Sequence, residues 1–88
     1  AVDKMVDRSC DEETEEKMRR LIEEQQGVLK VDVLRTRLFG AKMYVDIEIA
    51  ADGDITLREG HEIAQAVHDK VEEEFPLVKH CMVHVNPL

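Results

Sequence analysis

His80, Met82, His84 and Asn86 occupy every second position of the closing segment His80-Cys81-Met82-Val83-His84-Val85-Asn86-Pro87-Leu88. In a β-strand, alternate residues point to the same face, so these four side chains would project together. Cys81, Val83 and Val85 would form the opposite, core-facing side. Neutral imidazole is the commonest protein ligand for transition metals, which makes metal binding the chemistry to weigh first. Spacing limits it. His84 and Asn86 lie about 6.6 Å apart along a strand, a gap that long side chains can close, whereas His80 and His84 lie about 13 Å apart and cannot share an ion from one straight strand. Partners for His84 must therefore come from neighbouring strands or a loop.

Those partners depend on the elements that position them. Glu12, Glu13, Glu15 and Glu16 precede Lys17, Arg19 and Arg20, an order that suits a helix macrodipole. Met18, Leu21 and Ile22 supply the apolar stripe, Asp11 or Ser9 can cap the start, and Gly27 is expected to follow the end as a C′ residue. Residues 28–37 are rich in β-branched side chains and largely alternate. Phe39-Gly40-Ala41-Lys42 supplies a turn, and residues 43–49 alternate with apolar residues at odd positions, so the two runs read as a β-hairpin. From Thr56 the period becomes helical. Thr56 and Glu59 make a capping-box pattern, Ile63, Ala64, Val67, Val71 and Phe75 step by three and four, and Pro76 stops the helix. A strand from residue 77 or 78 to 86 closes the chain.

The order helix–strand–strand–helix–strand predicts an α+β domain. It is a two-layer αββαβ sandwich, a truncated ferredoxin-like arrangement whose three-stranded sheet carries both helices on one face. The covered face is expected to hold Val31, Val33, Val45, Ile47, Ile49, Val83 and Val85. The open face then carries Asp32, Leu34, Tyr44, Asp46, Glu48, His80, Met82, His84 and Asn86. Oxygen and nitrogen donors from three strands can converge there on a divalent ion, with Asp32 and Glu48 as strand partners for His84 and with His61 leaning in from the start of the second helix. Each has an ordinary alternative. Asp32, Asp46 and Glu48 are by default solvent-facing strand positions, His61 a surface or capping residue, and His84 a surface histidine. His80 is a reserve candidate.

Composition narrows the classes. The 88 residues leave room for one domain with a modest core. A formal net charge of −8 argues against a phosphate-neutralising surface, so no nucleic-acid partner is expected. Two cysteines, Cys10 and Cys81, are too few for a disulfide framework and fit reduced thiols in a cytosolic compartment. No apolar run is long enough to span a bilayer. There is no Gly-rich phosphate loop, no Cys-x-x-Cys, and no nucleophile with a base and an orienting partner, so an enzyme is not expected.

Gly27-Val28 entering a strand, Leu34-Arg35-Thr36-Arg37, Leu57 with His61 opening the second helix, and Pro76 before His84-x-x-Pro87 occur in an order that resembles the cytoplasmic C-terminal domain of cation diffusion facilitator transporters. The resemblance runs from about residue 11 to 88 and implies the same αββαβ fold. It implies that residues 1–10 connect to a missing transmembrane region, with residues 11–88 forming a metal-binding and dimerisation domain on the cytoplasmic side of the cell membrane. It further implies a homodimer, a covalently attached transmembrane domain, and metal ligands at Asp32, Glu48, His61, His84 and Asn86. In the bacterial zinc and iron members of that family, histidines match Asp32 and Glu48 and an aspartate matches Asn86. Carboxylates harden the site, so zinc is the family's expectation while Mn²⁺ or Fe²⁺ gains ground. Asn86 lacks the charge to bridge two ions, which favours one site per chain. The competing expectation is a metal-free ferredoxin-like module for homodimerisation or small-ligand sensing.

Overall fold

The computed structural model describes residues 9–88, so all of the expected connection over residues 1–10 except Ser9 and Cys10 lies outside the described residues. The order is α1 (Glu12–Glu23), β1 (Lys30–Phe39), β2 (Lys42–Ala51), α2 (Leu57–Glu74) and β3 (Val78–Pro87). Asp11 caps α1, its Oδ1 accepting the Thr14 N–H at 2.7 Å, and that bond holds its carboxyl below the usual value. Thr56 and Glu59 close a complete capping box on α2, and Phe75 ends that helix before Pro76. Gly27 does not cap α1 directly. The helix ends at Glu23 with Glu24 as its cap, and Gly27 instead turns the chain towards β1 with φ +90.

Strand β2 is central. It pairs with β1 antiparallel, through a Gly40-Ala41 turn with φ +60 at Gly40, and with β3 parallel through the α2 crossover. Met18 and Ile22 of α1, Val45, Ile47 and Ile49 of β2, and Val67 and Val71 of α2 are fully buried together. Both helices therefore cover one face of the sheet, and the other face is open.

One pair of expectations is corrected. Leu34, expected on the open face, packs against the core, and Val33, expected in the core, pairs with Glu48 instead. The cause is a β-bulge between Val31 and Val33, where Asp32 is an extra residue opposite β2. An added residue inverts which side chains face the core from that point on. Beyond the bulge the even residues Leu34, Thr36 and Leu38 therefore pair with the inward-facing Ile47, Val45 and Met43.

Candidate metal centre and its family

The register lays out the open face in rows. Arg37, Tyr44 and His80 form one; Arg35, Asp46 and Met82 the next; then Val33, Glu48 and His84; then Lys30, Ala50 and Asn86. The bulge puts Asp32 beside the last two rows. Ala50 offers only a methyl group, which leaves a lane across the central strand. Asn86 reaches through it, and its Nδ2 donates to Asp32 Oδ2 at 3.1 Å and to Glu48 Oε1 at 3.2 Å. The other oxygen of Asp32 lies 3.6 Å from Lys30 Nζ. Three of the five expected ligands thus meet at one point, drawn from all three strands.

His84 is the register partner of Glu48 and shares its face, although it is exposed and lies outside that hydrogen-bonded group. His61 lies elsewhere. It lines a groove of about 380 Å³ with Val83 and Val85, which pack towards the helices. Strand alternation sends His84 to the opposite side of β3 from those valines, so the two imidazoles are separated by the sheet. Among the described residues, no three His, Cys, Asp or Glu side chains gather so as to hold an ion. The convergent group consists of two carboxylates and an amide.

The remaining chemistry-bearing residues have local partners. His80 packs at a tilt of 48° against Tyr44 with ring centroids 5.9 Å apart, and Tyr44 in turn meets Phe39 at 5.2 Å. His68 places Nδ1 3.2 Å from Asp69 and Nε2 3.4 Å from Glu72, and bonds from His68 and then Gln65 hold the Asp69 carboxyl below its usual value. Cys10 and Cys81 are both free thiols. Burial, aided by the Glu72 and Asp46 charges, pushes the Cys81 thiol up to about 12.

Two functions within Leu34-Arg35-Thr36-Arg37 escape a reading of spacing alone. Thr36 is only 2 % exposed, accepts the Cys10 N–H at 3.0 Å and donates to Glu15 Oε2 at 3.3 Å, tying the chain's entry and α1 to the sheet. Arg37 Nη2 reaches Asp46 Oδ2 at 3.4 Å on the open face. The bulge hides both, because it reverses the faces that simple alternation assigns.

Residues 10–88 match the family model described as the cytoplasmic domain of cation efflux proteins. The chain belongs to the cation efflux family. This is a family of metal transporters and not an enzyme class. The manganese efflux system protein MneP of Bacillus subtilis is 30% identical over 87 residues, covering 99% of this chain and 29% of MneP. The cation-efflux pump FieF of Shewanella oneidensis is 26% identical over 88 residues, again covering 29% of its length. The chain therefore spans about three tenths of the curated relatives it matches most fully. Among solved structures, a nickel form of a MamM C-terminal domain variant superposes with a TM-score of 0.85 at 26% identity, covering 89% of this chain and 99% of that one. A cadmium form of another MamM variant gives 0.84 at 26% identity, covering 88% and 95%. The cation efflux domain thus has the two-layer fold expected from the order of its elements.

Proposed function

We propose that this domain is the regulatory and dimerisation unit of a divalent-cation efflux transporter, attached to a membrane-spanning part and pairing with a second copy when it binds metal. The observation that carries the reading is the meeting of Asp32, Glu48 and Asn86 at one point on the open face, beside His84. Carboxylate, amide and imidazole donors form a hard-to-borderline set, which suits Mn²⁺, Fe²⁺ or Zn²⁺ and fits poorly with soft, thiolate-bound metals. The nickel and cadmium forms of the structurally similar MamM domains support a divalent ion at such a domain.

In this reading Asp32, Glu48 and His84 supply the ligands and Asn86 a weak or water-mediated one. His61 lies across the sheet from them, so it stands apart from that ion, as a separate candidate ligand at the groove it lines with Val83 and Val85. An ion at this point neutralises two carboxylates on a chain of formal net charge −8, and thereby reduces repulsion between facing copies. It favours the close pair only through stronger binding to that pair than to the open one. Moving the balance from 1:99 to 99:1 takes about 5.5 kcal/mol of differential binding. The exposed Phe39, Tyr44 and Met82 give the same open face apolar surface for pairing.

Calorimetric titration of Zn²⁺ and Mn²⁺ into the chain tests the reading, with sedimentation velocity following the pairing. Saturable heat is expected, weakened at least about tenfold by Glu48→Ala or His84→Ala. A sharper, more compact dimer is expected on loading. Absence of heat in the unsubstituted chain, with His84→Ala changing nothing, refutes it and leaves metal-free pairing through the open face as the function.

A further inference from the structure

Asn86 brings an amide, not a third carboxylate, to the point where Asp32 and Glu48 meet, and the geometry shows what that does. An ionised carboxylate only accepts hydrogen bonds, so the Asn86 side chain can face Asp32 and Glu48 only with its NH₂ group. That group has two protons, and the two carboxylates take them at 3.1 and 3.2 Å. The nitrogen therefore occupies a point within hydrogen-bond reach of both acidic oxygens. A zinc-like ion bonds carboxylate oxygen at about 2.0–2.2 Å, so it needs both oxygens roughly 1 Å nearer to that point and the amide protons gone from it.

We propose that Asn86 is an internal stand-in for the cation: its amide cross-links Asp32 and Glu48 in the metal-free domain, and an ion loads only by displacing it. The inference rests on the metal-binding reading above. Once the side chain has withdrawn from that point, rotating the amide about its terminal torsion presents Oδ1 in place of NH₂, which converts the displaced residue from competitor into oxygen ligand. The consequence is a loading threshold: the metal-free site is held together without a cation, and low metal concentrations leave it in that state. An aspartate at position 86 has no such metal-free arrangement, because a third carboxylate would face the other two without any proton to share.

The test begins without metal. In ¹⁵N–¹H spectra of the chelator-treated, 88-residue chain, the Asn86 side-chain amide pair is assigned by its loss in Asn86→Asp. It is expected to be displaced from ordinary exposed asparagines, to exchange slowly with water, and to revert to ordinary behaviour in Glu48→Ala. Metal-free Asn86→Asp is expected to melt at a lower temperature than the parent and to bind Mn²⁺ or Zn²⁺ at least about tenfold more tightly. Diamagnetic Zn²⁺ is expected to move the Asn86 amide pair on loading. An amide pair that behaves as freely solvated in the metal-free protein, with ion binding intact, overturns the stand-in and leaves the metal reading in place. An unchanged or higher melting temperature in metal-free Asn86→Asp overturns it as well. A bonded amide with no ion bound by either protein instead overturns the metal reading, and the competition with it.

Discussion

Removing the Thr36 hydroxyl should loosen the start of the domain while leaving its sheet intact. Thr36 is only 2 % exposed, and its hydroxyl makes two contacts that join three elements: the Cys10 N–H at 3.0 Å and Glu15 Oε2 at 3.3 Å. Thr36→Val keeps the branched shape and deletes both. The lost amide bond is worth about 1 kcal/mol, and the longer bond to a carboxylate that water can reach adds about the same. The extra buried methyl returns roughly 0.5 kcal/mol. The net loss is about 1.5 kcal/mol, and for a domain of this size each kcal/mol moves the melting temperature by about 4–8 °C, which gives a drop of roughly 6–12 °C. Circular dichroism melts read the drop, and amide hydrogen exchange reads its location. The Cys10 amide should lose protection while those of Val45 and Ile47 keep theirs under native conditions. Thr36→Ser should keep the Cys10 protection even though it loses a methyl group. A melting temperature within 2 °C of the parent, on the order of a third of a kcal/mol by the same scaling, together with an unchanged Cys10 amide, would refute the reasoning.

Three further expectations follow from the same geometry. Leu34→Ala should cost about 2–3 kcal/mol in urea denaturation and Val33→Ala about 1 kcal/mol or less, since only Leu34 packs against the core; equal costs would mean that the bulge does not reverse the faces. Gly27→Ala should cost about 2–4 kcal/mol, because its backbone has φ +90 and a new Cβ would lie 2.6 Å from Ile63 Cδ1. A double-mutant cycle with Ile63→Ala should return at least about 1 kcal/mol of coupling, and strict additivity would count against the clash. For Cys81, the native thiol keeps its proton up to about 12, whereas its ordinary value is 9.0. Between those values the unfolded chain binds fewer protons than the native one, so stability should fall as pH rises above 9. Denaturation midpoints across that range should fall less steeply in Cys81→Ala, and parallel slopes would contradict the assignment.

Local pattern was enough to place the elements. Met18 and Ile22 one turn apart, the odd-numbered apolar run Met43 to Ile49, and the Thr56–Glu59 capping pair each carry their own periodicity or hydrogen bond within a few residues. The αββαβ order and the two-layer fold follow from those elements, because both helices and one sheet face must bury apolar surface together. The resemblance to cation efflux domains was legible for a related reason: apart from Leu34-Arg35-Thr36-Arg37 inside β1, its motifs lie at or near element boundaries, where a single residue type matters.

What tertiary structure alone decided is which side chains meet. Val31, Val33 and Leu34 put apolar residues on both parities of β1, so alternation could not choose a face there; the extra residue at Asp32 did. Asn86 reaches Asp32 across 54 positions of sequence, over a lane left open by Ala50, a contact that no local spacing encodes. His61 and His84 look alike as candidate ligands in one dimension, and the sheet between them places them on separate sides. Elements arise from interactions a few residues long, which a sequence displays directly. A site is assembled by register, and register is set by pairing between distant strands.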